Sequence, residues 1–260
     1  MTARTATLAD GSRHASSALS LEVAGTVASI IVGSGERRNV LAPADWDELS
    51  RIVDQVSTRV DISVVVLRGR GQTFSAGSDL RFWENEDSQT VDEDFSRMEA
   101  ALQAIERIPI PTIAVVEGVA AGAGCELALA CDLRIFAQTA RIGLPIVQLG
   151  VLVSPHFALR LTSLIGISRT RELLYSGRLV SAAEADRLGM ANSVVAQSGI
   201  EAELQNWLDN ISRQPRSGLV AAKAASTVAV AELRTQHDAP EWTFSDPAQL
   251  SDRIGIFFRR

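Results

Sequence analysis

The stretch Val115-Val116-Glu117-Gly118-Val119-Ala120-Ala121-Gly122-Ala123-Gly124-Cys125-Glu126-Leu127 decides the fold class. A buried strand, Thr112–Val116, runs into a turn of glycine and alanine and then into a helix ending near Asp132. At a helix N-terminus several amide hydrogens lack an intrahelical partner, and the aligned peptide dipoles add partial positive charge, so a developing oxyanion is stabilised there. Close packing of a helix on a sheet through Gly and Ala explains the same residues, and both can hold at once. An upstream stretch, Gly69-Arg70-Gly71-Gln72-Thr73-Phe74-Ser75-Ala76-Gly77-Ser78-Asp79-Leu80, shares the design. Small residues let backbone amides approach a ligand there. Taken alone it reads as a plain turn, since it lacks the third glycine of a dinucleotide loop and the Gly-Lys-Ser/Thr of a P-loop.

Outward from these turns, strand-like and helical pieces alternate, which is α/β order. Val27–Val32 precedes a helix over Ala44–Val60, where Trp46, Leu49, Ile52, Val53 and Val56 fall at helical spacing. The apolar strand Ile62–Leu67 follows. A second amphipathic stretch, Val91–Ile108, stops before Pro109 and Pro111. Leu133–Phe136 reads as a strand and Ser168–Leu188 as helix–turn–helix with a start at Ser181. Beyond about Gly199 the pattern is helical: Ile200–Gln214, Ser217–Glu232 and Pro247–Phe258. The expected organisation is a mobile tail over residues 1–20, a core over 21–199 and a helical region over 200–260. The spacing Gly118-x-x-x-Gly122-x-Gly124 also fits the nucleotide turn of short-chain dehydrogenases. Those enzymes need a Tyr with a Lys four places later, whereas the only tyrosine, Tyr175, is followed there by Leu179.

Composition narrows the function. A chain of 260 residues, 46% hydrophobic, can bury a core of ordinary size. A net charge of −6 argues against a nucleic-acid binder, because that affinity needs a surplus of Lys and Arg. Cys125 and Cys131 read as reduced packing thiols, and His14, His156 and His237 form no ligand-spaced cluster, so no metal is expected. No apolar run approaches the roughly 20 residues that cross a bilayer, so a cytoplasmic protein without membrane contact is expected.

The two turns together resemble the crotonase (enoyl-CoA hydratase/isomerase) family. Phe74-Ser75-Ala76-Gly77-Ser78-Asp79-Leu80 matches that family's Phe-x-Ala-Gly-x-Asp-Leu. The segment from Ile108 to Asp132 carries its Pro-x-Pro entry, glycine-rich turn and Glu-Leu-Ala helix, and the likeness continues through Ile142-Gly-Leu-Pro145 and Leu149-Gly150 to Phe244–Asp246 and Phe257–Arg260. The resemblance implies a crotonase-like spiral of ββα repeats with a helical C-terminal oligomerisation region, assembled as a homotrimer or a dimer of trimers.

It also implies an acyl-CoA substrate, with coenzyme A part of that substrate and no separate cofactor. The amides of Ser78 and Ala123 would hold the thioester carbonyl, and carbonyls near Ala76 and Leu80 would receive the adenine amino group. Ala123 stands where the family usually has Gly. Glu126 corresponds to the first hydratase glutamate, as general acid/base or water positioner; from the residues alone it equally suits the helix dipole. The second hydratase glutamate follows the proline of Gly-Leu-Pro, and here that position is Ile146, which cannot exchange a proton. His156 as a substitute base, or Ser154 as an acyl contact, would compensate, although a loop histidine is more often simply solvated. Arg81, Arg259 and Arg260 could meet coenzyme A phosphates or be ordinary surface charges. The implied activity is enolate chemistry on a thioester, nominally hydration or isomerisation. The alternatives are an acyl-CoA-binding protein without hydratase activity and a divergent decarboxylase or thioester hydrolase.

Overall fold

The computed structural model describes residues 18–84, 86–235 and 250–259. Strands β1 (Leu19–Ala24) and β2 (Val27–Val32) form an antiparallel hairpin, and α1 (Pro43–Ser57) follows. Helix α1 starts where Pro43 needs no amide partner and Asp45 Oδ2 accepts the Ala42 N–H at 2.8 Å. It buries Trp46, Leu49, Ile52, Val53 and Val56, the residues whose spacing marked its inner face. Such burial stabilises by about 1.5–3 kcal/mol for each large aliphatic side chain.

The chain continues through β3 (Val64–Gly69), α2 (Ser88–Arg107), β4 (Thr112–Val116), β5 (Val119–Ala121) and α3 (Ala123–Leu129). Next come β6 (Leu133–Ala137), β7 (Arg141–Gly143), α4 (Pro155–Ser176), β8 (Val180–Ser181), α5 (Ala182–Leu188) and β9 (Ser193–Val195). The large sheet has the order β1-β2-β3-β4-β6-β9, parallel beyond the first hairpin, and a small sheet has the order β5-β7-β8. Each of β4 and β6 is followed by a strand of the small sheet and then a helix: β4–β5–α3 and β6–β7–α4. That is the ββα spiral. Helices α6 (Ile200–Ser212), α7 (Arg216–Thr235) and α8 (Leu250–Phe258) complete the C-terminal part.

Two expectations need correction. His156 was read as a loop residue, but Ser154 caps α4 by accepting the Phe157 N–H at 3.2 Å, and Pro155-His156-Phe157 is the helix's first turn. The helix expected from Ser168 therefore begins earlier, with its kink at Gly166 (φ 74°). His14, His237, Phe244–Asp246, Pro247, Arg260 and most of the N-terminal tail lie outside the described residues. Among the described residues, no helix is long and apolar enough to cross a membrane, and no three His, Cys, Asp or Glu are grouped to hold a metal ion.

Candidate active site

The two small-residue turns meet. Ser75 N–H donates to the Val119 carbonyl at 2.9 Å and Ala121 N–H returns a bond to the Ser75 carbonyl at 3.0 Å. A Cβ on Gly124 would lie 2.1 Å from the Ser75 carbonyl oxygen, and one on Gly77 would lie 2.7 Å from the Ala123 nitrogen. Only glycine permits this approach. From the other side, the Gly77 carbonyl accepts the Leu41 amide and the Asp79 amide reaches the Leu41 carbonyl.

Between these anchors the Ser78 amide has no protein acceptor among the described residues. Ala123 is the first residue of α3, so its amide has no intrahelical acceptor, and none is supplied by another part of the described chain. Gly122 (φ 56°, ψ −127°) turns the chain into the helix in a conformation closed to side chains. Ser78 and Ala123 both line a cavity of about 1180 Å³, as do Ala76, Leu80 and Gly122.

Four arginines line the cavity, Arg37, Arg38, Arg81 and Arg253. Arg37 and Arg81 both pair with Asp79, at 2.7 and 2.6 Å. Arg37, Arg38 and Asn39 occupy consecutive left-handed conformations, which are costly outside glycine. Buried Asn39 holds that turn: its Nδ2 donates to the carbonyls of Arg70 and Thr73 at 2.9 and 2.7 Å, and its Oδ1 accepts the Gly35 N–H. Of the cations expected from sequence, Arg81 lines the cavity. Arg259 does not line the cavity, whereas Arg37, Arg38 and Arg253 do. The run Arg37-Arg38-Asn39 was the missed signal.

Much of the remaining lining is apolar. Trp83, Phe95, Met98, Ile146, Val151 and Phe157 belong to it, Trp83 and Phe95 lying 4.7 Å apart between ring centres. Helix α8 adds Ile256, Phe257 and Phe258. Ile146 thus stands in the wall. His156 is exposed and Ser154 spends its hydroxyl on the helix cap, so neither lines the cavity and the substitution expected of them is not found. On the first turn of α4, the residue facing the cavity is Phe157. Among the lining residues the carboxylates are Asp79 and Asp252.

Glu126 lies behind the wall, one turn along α3 from Ala123 and fully buried. Its Oε2 accepts from Arg160 Nη1 at 3.2 Å, and its Oε1 has no protein hydrogen-bond partner among the described residues. Arg160, from α4, also binds Glu99 at 2.5 Å and Glu106 at 3.0 Å, both from α2. One guanidinium therefore faces three carboxyl groups, and Glu126 is the most deeply buried of them. Burial pushes its pKa up to about 8, Arg160 opposing and Glu99 and Glu106 adding to the rise. Burial also works against the charge on Arg160, but the Glu99 hydrogen bonds and the three carboxyls outweigh it and hold the guanidinium protonated. Burial thus favours the neutral acid form of Glu126, which then has a proton to give.

The enoyl-CoA hydratase/isomerase family model matches residues 22–253. The chain belongs to this family. Its relatives include the enoyl-CoA isomerase/hydratase of Mycosarcoma maydis, 36% identical over 71% of this chain and 68% of that one. Among solved structures, an enoyl-CoA hydratase/carnithine racemase from Magnetospirillum magneticum superposes with a TM-score of 0.79 at 25% identity, over 95% of this chain and 89% of that one. The enoyl-CoA hydratase of Bacillus anthracis gives 0.76 at 30% identity, over 84% and 88%. Family membership supports an enzyme of this superfamily, and the Ser78 and Ala123 turns are the segments that carried the resemblance.

Proposed function

We propose that this family member binds an acyl-CoA thioester with its carbonyl oxygen between the amides of Ser78 and Ala123, and moves a proton through the enolate so stabilised. The observation that carries this is the pair of unpartnered amides, brought from two separate turns to one cavity. Donors fixed before the reaction stabilise the charge that develops on the thioester oxygen, which makes the α-carbon acidic and the β-carbon of an enoyl group electrophilic. The four arginines suit the coenzyme A phosphates, the carbonyls near Ala76 and Leu80 suit the adenine amino group, and the apolar lining suits the acyl chain. Glu126 is the acid we assign to the proton exchange, from its position one turn along α3 from Ala123 and just outside the cavity lining. The assembly expected is a homotrimer or a dimer of trimers, which sedimentation would check.

The test is Ala123→Pro. Proline is tolerated at the first position of a helix, so this change deletes the amide hydrogen while leaving α3 intact. Turnover of whichever acyl-CoA a mass-detected panel identifies should fall about 10²–10³-fold, the cost of one oxyanion donor. Unchanged turnover would remove Ala123 from the site. A second reading, acyl-CoA binding without turnover, is favoured by Ile146 and by the absence of Glu126 from the cavity wall. It predicts tight thioester binding and no product from any member of the panel.

A further inference from the structure

Three helices each pair a residue that lines the cavity with a charged residue that does not. On α2 the lining residue is Met98 and the charged residue is Glu99; on α3 they are Ala123 and Glu126; on α4 they are Phe157 and Arg160. The pairs on α3 and α4 are three residues apart and share a helix face, whereas Glu99 directly follows Met98; Arg160 draws Glu99 and Glu126 into one buried cluster, and none of these three lines the cavity. Phe157 is the bulkiest of the three lining residues. It is buried to 2% exposure, lines the cavity and lies with its ring 6.0 Å from the Arg160 guanidinium that binds Glu126.

We propose that Phe157 is a specificity-determining residue: it forms a dry partition between the thioester cavity and Glu126, so that water is withheld from the carboxyl group that would otherwise direct hydration. This rests on the proposed thioester reading of the cavity. A water molecule held in a protein needs about two to four polar partners. Of the apolar lining, Ile146, Val151 and Phe157 supply none, and the Met98 sulfur, a weak acceptor, is taken by the Ser78 hydroxyl at 3.7 Å. Glu126 Oε1 is wholly buried and has no protein hydrogen-bond partner among the described residues.

Hydration itself balances on one carboxyl group. The water oxygen bonds to the β-carbon, one water proton passes to Glu126, and the proton that Glu126 already carried passes to the α-carbon, which closes the step with the carboxyl group restored. On this proposal the apolar wall withholds the water. Loss of the carboxylate at position 146 is therefore one of two exclusions, and Phe157 is the second.

The experiment is a graded series, Phe157→Leu, Phe157→Val and Phe157→Ala. Each variant is assayed for loss of the enoyl-thioester absorbance with a short enoyl-CoA, and for affinity toward a non-reactive thioether analogue of the same substrate. Hydration should rise as the side chain shrinks, reaching about a hundredfold over the parent at Phe157→Ala, the lower end of what one positioned proton-transfer group contributes. The gain should vanish in the double variant with Glu126→Gln, whose affinity for the analogue should match that of Phe157→Ala. The Leu and Val variants keep the comparison open if the largest truncation costs the fold. A flat series among variants that bind the analogue overturns the partition alone. A parent that does not bind the analogue overturns the thioester reading and the partition with it.

Discussion

At the scale of single residues, the chemistry turns on one proton. Glu126 has a pKa raised to about 8, from a reference of 4.5, by burial first and then by the charges of Glu99 and Glu106, with Arg160 as the opposing cation. Folded protein therefore holds a proton there that unfolded chain releases, across pH 4.5 to 8. In that window the folded state binds more protons, so the stabilisation linked to this group is fullest below the lower value and is lost as pH rises toward the upper one. Glu126→Gln cannot ionise. Relative to the parent it should gain stability with rising pH across this window, by an amount on the order of a few kcal/mol, measurable by denaturant unfolding at a series of pH values. A difference that stays constant with pH would contradict the protonated state assigned to Glu126. The same variant should lose turnover while still binding the thioester, whereas parent-like rates would show that the proton moves elsewhere.

At the scale of elements, the site depends on how closely two turns approach. Gly124→Ala would place a Cβ 2.1 Å from the Ser75 carbonyl oxygen and should lower stability by about 1–3 kcal/mol as the turns part, with a fall in melting temperature and a weaker hold on acyl-CoA together. A variant with parent-like melting and affinity would mean that the turns tolerate separation.

Local patterns made much of this level legible. Strands Val27–Val32 and Thr112–Val116 stand where alternation and apolar runs indicated, and Ser181 caps α5 as its position suggested. Helix α4 was half missed because Gly166 breaks its period. Pro155 at its first turn also sits within a stretch that looked like a loop. The Arg160 cluster was not legible at all. Its members come from three helices, with 34 to 61 residues between Arg160 and its carboxylate partners, and no local pattern marks such a meeting. The cationic turn at Arg37-Arg38 was hidden for a different reason. Its conformation is imposed by buried Asn39, whose acceptors lie more than 30 residues away.

At the scale of the molecule, a chain with net charge −6 places four arginines in the lining of its cavity. Asp79 offsets part of that charge, leaving a local attraction for a polyanion that salt should screen. Affinity for free coenzyme A should fall as salt rises from about 0.05 to about 0.5 M, and fall less steeply in Arg38→Ala and Arg253→Ala, as titration calorimetry would record. Salt-independent binding would remove these arginines from the recognition of phosphate. The ββα spiral makes the arrangement possible, since β4 and β6 each deliver a helix and a short strand to the same face. The most direct test is the infrared carbonyl stretch of a bound, isotope-labelled acyl-CoA thioester. The account predicts a shift to lower frequency than in water, lost in Ala123→Pro; a carbonyl that vibrates as it does in water would contradict it.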